Sequence, residues 1–166
     1  MTSFKKKIQI NAPVQEVWKV VSNLGDIYKF NPGVSKSYYA TDQTEGIGAA
    51  RICELYPMGK ILETATDWKE GKSFLLKIDT IEKAPPVKNF TGNFELNAIG
   101  SKQTEVSLTL TYDMKLGIIG KLLNKLILQS KMESGVEDLL KGLKVHLEQG
   151  VIIKDVSSLK QILTAA

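Results

Sequence analysis

Few side chains in this chain are of types that make or break bonds, and their spacing limits what they can do. His146 is the only histidine and Cys53 the only cysteine. No two-histidine set and no cysteine pair is available, so neither a zinc site nor metal catalysis is indicated. His146 lies among leucines near the end of a helical pattern, where it reads as a helix-dipole partner or rim residue and not as a general base. Cys53 cannot form an internal disulfide, which suits a reducing compartment, and it reads as a small buried hydrophobe in preference to a nucleophile. No Gly-x-Ser-x-Gly elbow marks a serine nucleophile. Gly46-Ile47-Gly48-Ala49-Ala50-Arg51 opens like a dinucleotide fingerprint, yet it lacks the third glycine and precedes a strand pattern, so it reads as a loop between strands. Asn89-Phe90-Thr91 matches a glycosylation sequon, but with no sign of secretion it reads as strand. None of these motifs calls for a cofactor.

Charge and composition narrow the partners. Lysine and arginine total 22 against 18 acids, a net charge of +4, and Arg51 is the only arginine. The lysines alternate with acids, and the one dense run, Lys5 to Lys7, carries no interleaved aromatics, so nucleic acid is not an expected partner. At 166 residues, with 43% apolar and 24% charged, the chain matches a single globular domain that buries roughly 70% of its unfolded surface without staples. The apolar stretch Leu122 to Leu128 is interrupted by Asn124 and Lys125 and falls far short of the ~20 residues a membrane span needs. The lysines near the N-terminus are followed by no apolar run of signal-peptide type. A cytoplasmic protein without stable membrane insertion is expected.

The periodicity supplies the elements that must position any site. Phe4, Lys6, Ile8 and Ile10 alternate with Lys5, Lys7 and Gln9 as in a strand. After Pro13, the spacing of Val14, Val17, Trp18 and Val21 predicts a short amphipathic helix, and Asp26 to Phe30 a second turn. From Val34 to Lys115 the period is near two, broken at Asp42–Gly48, Tyr56–Gly59, Glu70–Lys72, Ala84–Pro86 and Gly100–Lys102, which predicts six consecutive antiparallel strands. Beyond Gly117 the period becomes helical, with Leu122, Leu126, Met132, Val136, Leu139, Leu143 and Leu147 forming a stripe. Ser134-Gly135-Val136-Glu137 fits a capping box, so a bend or restart is expected there, with the firmer helix from about Ser134 to Gln149, ending at Gly150. Ser158-Leu159-Lys160-Gln161 reads as a second capping box opening a short C-terminal helix.

This order resembles the helix-grip fold of the START-like superfamily (SRPBCC), which includes the birch-pollen allergen and the polyketide cyclase/dehydrase-like proteins. The local sequence adds to the likeness. Ile10-Asn11-Ala12-Pro13-Val14-Gln15-Glu16-Val17-Trp18 resembles that group's strand-to-helix entry, Gly46 to Arg51 its Gly-x-Gly-x-x-Arg strand entry, Ile61-Leu62-Glu63 its acid in the next strand, and Met132 to Leu147 its closing helix. The resemblance implies an α+β fold: a curved seven-stranded antiparallel sheet around a long C-terminal helix, with two short helices after the first strand and a mostly apolar cavity inside. It spans one domain over residues 1–150 and leaves 151–166 as a C-terminal extension.

Anchoring the alternation on the family's inward positions implies walls built from Arg51, Cys53 and Leu55; Ile61, Glu63 and Ala65; Phe90, Gly92, Phe94 and Leu96; and Leu108, Leu110 and Tyr112, with Ile119, Leu123, Leu126 and Ile127 closing the remaining side. The ligand-binding residues expected on this basis are Arg51, Cys53, Glu63, Phe90, Phe94, Leu110, Tyr112, Leu123, Leu126 and Ile127. No catalytic residue is assigned. Arg51 and Glu63 have two open readings: a pair that orients a ligand in an apolar pocket, or two charges that neutralise each other on adjacent strands. Tyr28-Lys29 resembles a dipeptide of the plant abscisic-acid receptors, which share the fold, but Phe30-Asn31-Pro32 departs from it and Lys29 reads as solvated.

Three functions follow from the resemblance. The leading one is binding of a small hydrophobic or amphipathic ligand such as a lipid or polyketide, in the service of transport or sensing. The alternative is a polyketide cyclase/dehydratase-type enzyme using the same cavity, chemistry that needs little beyond a positioned acid or base. A third is an interaction module whose loops around Gly46-Ile47-Gly48 and Tyr56-Pro57-Met58-Gly59 close over a ligand and meet a protein partner; a homodimer is equally open.

Overall fold

A computed structural model of the chain describes residues 1–57, 59–83, 87–115 and 127–165. Seven strands form one antiparallel sheet: β1 (Thr2–Ile10), β2 (Val34–Tyr39), β3 (Ala50–Leu55), β4 (Lys60–Lys69), β5 (Ser73–Glu82), β6 (Val87–Gly100) and β7 (Gln103–Met114). Their spatial order is β1-β7-β6-β5-β4-β3-β2, so every consecutive pair from β2 to β7 is a neighbour and β1 closes against β7. Alternation along β7 buries Val106, Leu108 and Tyr112 on the inner face. Register shifts between β2 and β3, β4 and β5, and β6 and β7 mark irregularities of the kind that bend strands and let a sheet curl around a helix.

Between β1 and β2 lie α1 (Val14–Val21) and a 3-10 turn (Leu24–Lys29), as the spacing predicts. Trp18 is buried, packs edge-on against Trp68 at 5.4 Å and Phe74 at 5.9 Å, and donates its indole N–H to Glu70 at 2.7 Å. Trp68 donates to the other oxygen of the same carboxylate at 3.0 Å, so Glu70 clips α1 to the sheet.

The long helix, α2, runs unbroken from Gln129 to Gln149. The bend or restart expected at Ser134 is absent. The reason is tertiary: the Glu137 carboxylate, which a capping box would turn back toward Ser134, instead pairs with Lys6 of β1 at 2.9 Å, alongside Glu133 at 2.9 Å. Gly150, with φ 70°, ends the helix in the left-handed conformation that suits glycine, and its N–H bonds the His146 carbonyl at 3.0 Å.

The chain then doubles back into α3 (Val156–Ala165). Its cap is Asp155, three residues earlier than Ser158. Ser158 supplies the reciprocal half of the box: its N–H bonds Asp155 Oδ1 at 2.7 Å and its Oγ accepts the Asp155 N–H at 3.1 Å. Ile153 and Leu159 are buried against Val145 of α2, and the Ile153 N–H bonds the Lys29 carbonyl at 2.9 Å. Among the described residues no helix is long and apolar enough to cross a membrane.

Candidate ligand-binding cavity

The curl of the sheet and the face of α2 leave a cavity of about 250 Å³ between them. Strand register sets what lines it. Arg51 of β3 lies opposite Glu63 of β4, Glu63 opposite Ile78 of β5, and Ile78 opposite Phe90 of β6, so one row crosses four strands on the concave side. The next row runs through Leu76, Gly92 and Leu110. A Cβ at Gly92 would lie 3.3 Å from Leu110 Cδ2, so a larger residue there would take up cavity space.

Polar groups concentrate at one place in this apolar lining. Arg51 is 2% exposed and Glu63 8%. Arg51 donates from Nε to Glu63 Oε2 at 2.6 Å and from Nη1 to the Leu24 carbonyl at 3.0 Å. The Cys53 thiol donates to the same Glu63 oxygen at 3.3 Å. Burial works against the Arg51 charge, but the attraction of the Glu63 carboxylate outweighs it and holds the guanidinium pKa above its ordinary value. Burial, with the Glu63 charge beside it, pushes the Cys53 thiol well above its usual range. Cys53 is therefore a neutral donor, unsuited to act as a thiolate nucleophile. The formally charged residues among the described lining are Arg51, Glu63 and Asp138.

Six of the expected site residues face this space: Arg51, Cys53, Glu63, Phe90, Phe94 and Leu110. Tyr112 is fully buried and meets Phe90 of the lining edge-on at 6.0 Å, without being part of the described lining itself. Ile127 is 54% exposed and is not part of the described wall. Leu123 and Leu126, with Ile119, lie outside the described residues.

On the helix side the described wall is formed by Met132, Gly135, Val136 and Leu139. Three of these, Met132, Val136 and Leu139, belong to the apolar stripe legible in the sequence, although none of them was among the expected ligand-binding residues. Asn31, Pro32 and Gly33, after the 3-10 turn, and Val156, at the start of α3, also line the cavity. No pattern marked Val156, because its position depends on the tail folding back. His146 does not line the cavity; its Nδ1 pairs with the Val151 carbonyl at 2.8 Å. Lys29 pairs with Asp26 at 2.7 Å. Ile47 and Tyr56, in the two loops singled out above, are exposed. Among the described residues no cluster of histidine, cysteine or carboxylate side chains is arranged to hold a metal.

Comparison with known proteins agrees with this architecture. No curated protein sequence matches the chain significantly. Among solved structures, a START superfamily protein from Mycobacterium smegmatis is similar with a TM-score of 0.71 at 15% identity, covering 90% of this chain and 99% of that one. An aromatase/cyclase from Streptomyces gives 0.64 at 12% identity, covering 90% and 97%. A protein from Thermus thermophilus gives 0.69 at 25% identity, covering 88% and 97%. The profile of the polyketide cyclase/dehydrase and lipid transport family matches residues 1–148, and the chain therefore belongs to that family.

Proposed function

We propose that this protein binds a small hydrophobic or amphipathic molecule in the cavity between sheet and α2, carrying or sensing it in the cytoplasm without transforming it. The observation that carries this reading is the cavity itself: a mostly apolar interior with a few polar side chains, the Arg51, Glu63 and Cys53 cluster chief among them, the usual make-up of a small-molecule site. A volume of about 250 Å³ sits near the lower end of the range for such sites, roughly 300–1,000 Å³, and suits a single acyl chain or one or two fused rings better than a two-chain lipid. Native mass spectrometry of freshly purified protein tests it. A non-covalent adduct of a few hundred daltons, released intact on denaturation, is expected, and protein that neither carries nor takes up any apolar molecule would sink the reading.

The family's cyclase/dehydrase members and the similarity to an aromatase/cyclase support a second reading, in which the cavity folds a reactive chain. The neutral Cys53 thiol does not favour covalent catalysis, so a proton moved through Glu63 would be the available chemistry. Product formed from a polyketide thioester by the wild type and lost in Glu63→Gln, with binding retained, would select this reading over the first.

A further inference from the structure

We infer that the cavity is built for uncharged ligands whose buried end carries a hydroxyl or carbonyl, and that it discriminates against carboxylates. The inference rests on the binding function proposed above and deepens it. The buried polar cluster is internally neutral: Arg51 and Glu63 cancel, and Cys53 stays protonated. Nearer the exposed side, Asp138 adds a carboxylate, and no lysine or histidine is among the described lining residues. A ligand carboxylate placed against Arg51 would compete with Glu63 for the guanidinium already bound at 2.6 Å, leaving one buried anion without its partner.

A neutral polar group meets the opposite situation. The pair's hydrogen bonds use Arg51 Nε and Nη1 and Glu63 Oε2, leaving Arg51 Nη2 and Glu63 Oε1 without a hydrogen-bond partner among the described residues. Yet no fully enclosed side-chain nitrogen or oxygen among those residues lacks a partner, so these two atoms are not sealed off and open onto the cavity that both residues line. Together they offer one donor and one acceptor, both on charged groups. A hydroxyl can accept from Nη2 and donate to Oε1 while the ion pair stays intact, and a carbonyl can use Nη2 alone. Hydrogen bonds to charged groups in a dry site are the stronger kind.

The test uses three bicyclic probes of matched shape, 2-naphthol, naphthalene and 2-naphthoate, titrated calorimetrically into the full chain at pH 7. The expected order is 2-naphthol about tenfold or more tighter than naphthalene, with 2-naphthoate at least tenfold weaker than 2-naphthol. In the doubly apolar variant Arg51→Met with Glu63→Leu, 2-naphthol should lose its advantage while naphthalene still binds. If that variant does not fold, the three wild-type affinities decide alone. Naphthoate binding as tightly as naphthol, or naphthol binding no tighter than naphthalene, would overturn the inference and leave the binding function standing. Failure of all three to bind would instead count against the binding function.

Discussion

Arg51 and Glu63 define the polar character of the cavity, and among the described residues they are the charged side chains that are buried. Each is held at its place by strand register, and each needs the other to be tolerated out of water. Removing one partner leaves an uncompensated buried charge, whereas replacing both removes the desolvation cost together with the attraction. Arg51→Met and Glu63→Leu should each lower unfolding free energy by about 3–5 kcal/mol, and the double variant should recover much of that loss. Denaturant titrations of the four proteins measure this; additive losses would show that the two side chains do not depend on each other. That the pair meets was legible in the sequence only through family likeness, since alternation places residues on a face without fixing which strand lies opposite. Alternation could not show that Tyr112 meets Phe90 edge-on, because the register between β6 and β7 shifts between Lys88 and Thr91.

At the scale of elements, Gly142 and a charge cluster join α2 to its surroundings, and Gly135 offers a contrast. A Cβ at Gly142 would fall 2.1 Å from the Phe30 carbonyl oxygen, so the helix rests directly on the backbone that follows the 3-10 turn. At Gly135 a Cβ would meet nothing within 4 Å. The same substitution should therefore act with opposite sign: Gly142→Ala should destabilise by about 1–3 kcal/mol through overpacking, while Gly135→Ala should stabilise by up to about 1 kcal/mol through helix propensity. Thermal unfolding of both variants checks this, and a stabilising Gly142→Ala would contradict the close approach. On the other side of the helix, hydrogen bonds from Lys6 hold the Glu133 and Glu137 carboxyls below their usual range. Groups with depressed folded pKa values contribute stability above the ordinary carboxylate range, near pH 4.3, and lose it as pH falls through the depressed values. The melting temperature should thus fall on acidification below about pH 4, and less steeply in Lys6→Met; an unchanged slope in the variant would show that the cluster is not a clamp. These contacts also explain why the helix does not break at Ser134 as the sequence suggested. The capping pattern is present, but a lysine on the inward face of β1, more than 120 residues earlier, claims its acid.

For the molecule as a whole, strand number, strand order and the closing helix were readable because period-two segments with turn residues between them leave little choice of antiparallel topology. The helix side of the cavity was less readable. A 3.6-residue stripe gives the apolar face of α2 but not how far along its length the sheet reaches, so the part of the wall formed by Met132, Gly135, Val136 and Leu139 could not be read from it. The contribution of Val156 was invisible because it follows from the Asp155 cap and from the packing of Ile153 and Leu159, tertiary facts with no local period. The central claim, that this cavity takes up a small apolar molecule, can be tested without knowing that molecule. Gly135 lines the cavity from an exposed position on α2 with open space before it, so Gly135→Phe should obstruct the open side of the cavity without a clash in the core. The measurement is a fluorescence titration of the uncharged, polarity-sensitive dye Prodan against the wild type and this variant, with circular dichroism confirming that both are folded. Saturable one-to-one binding to the wild type, weakened at least tenfold in Gly135→Phe, is the result predicted; equal affinity in the two folded proteins, or no saturable binding to the wild type, would contradict the account.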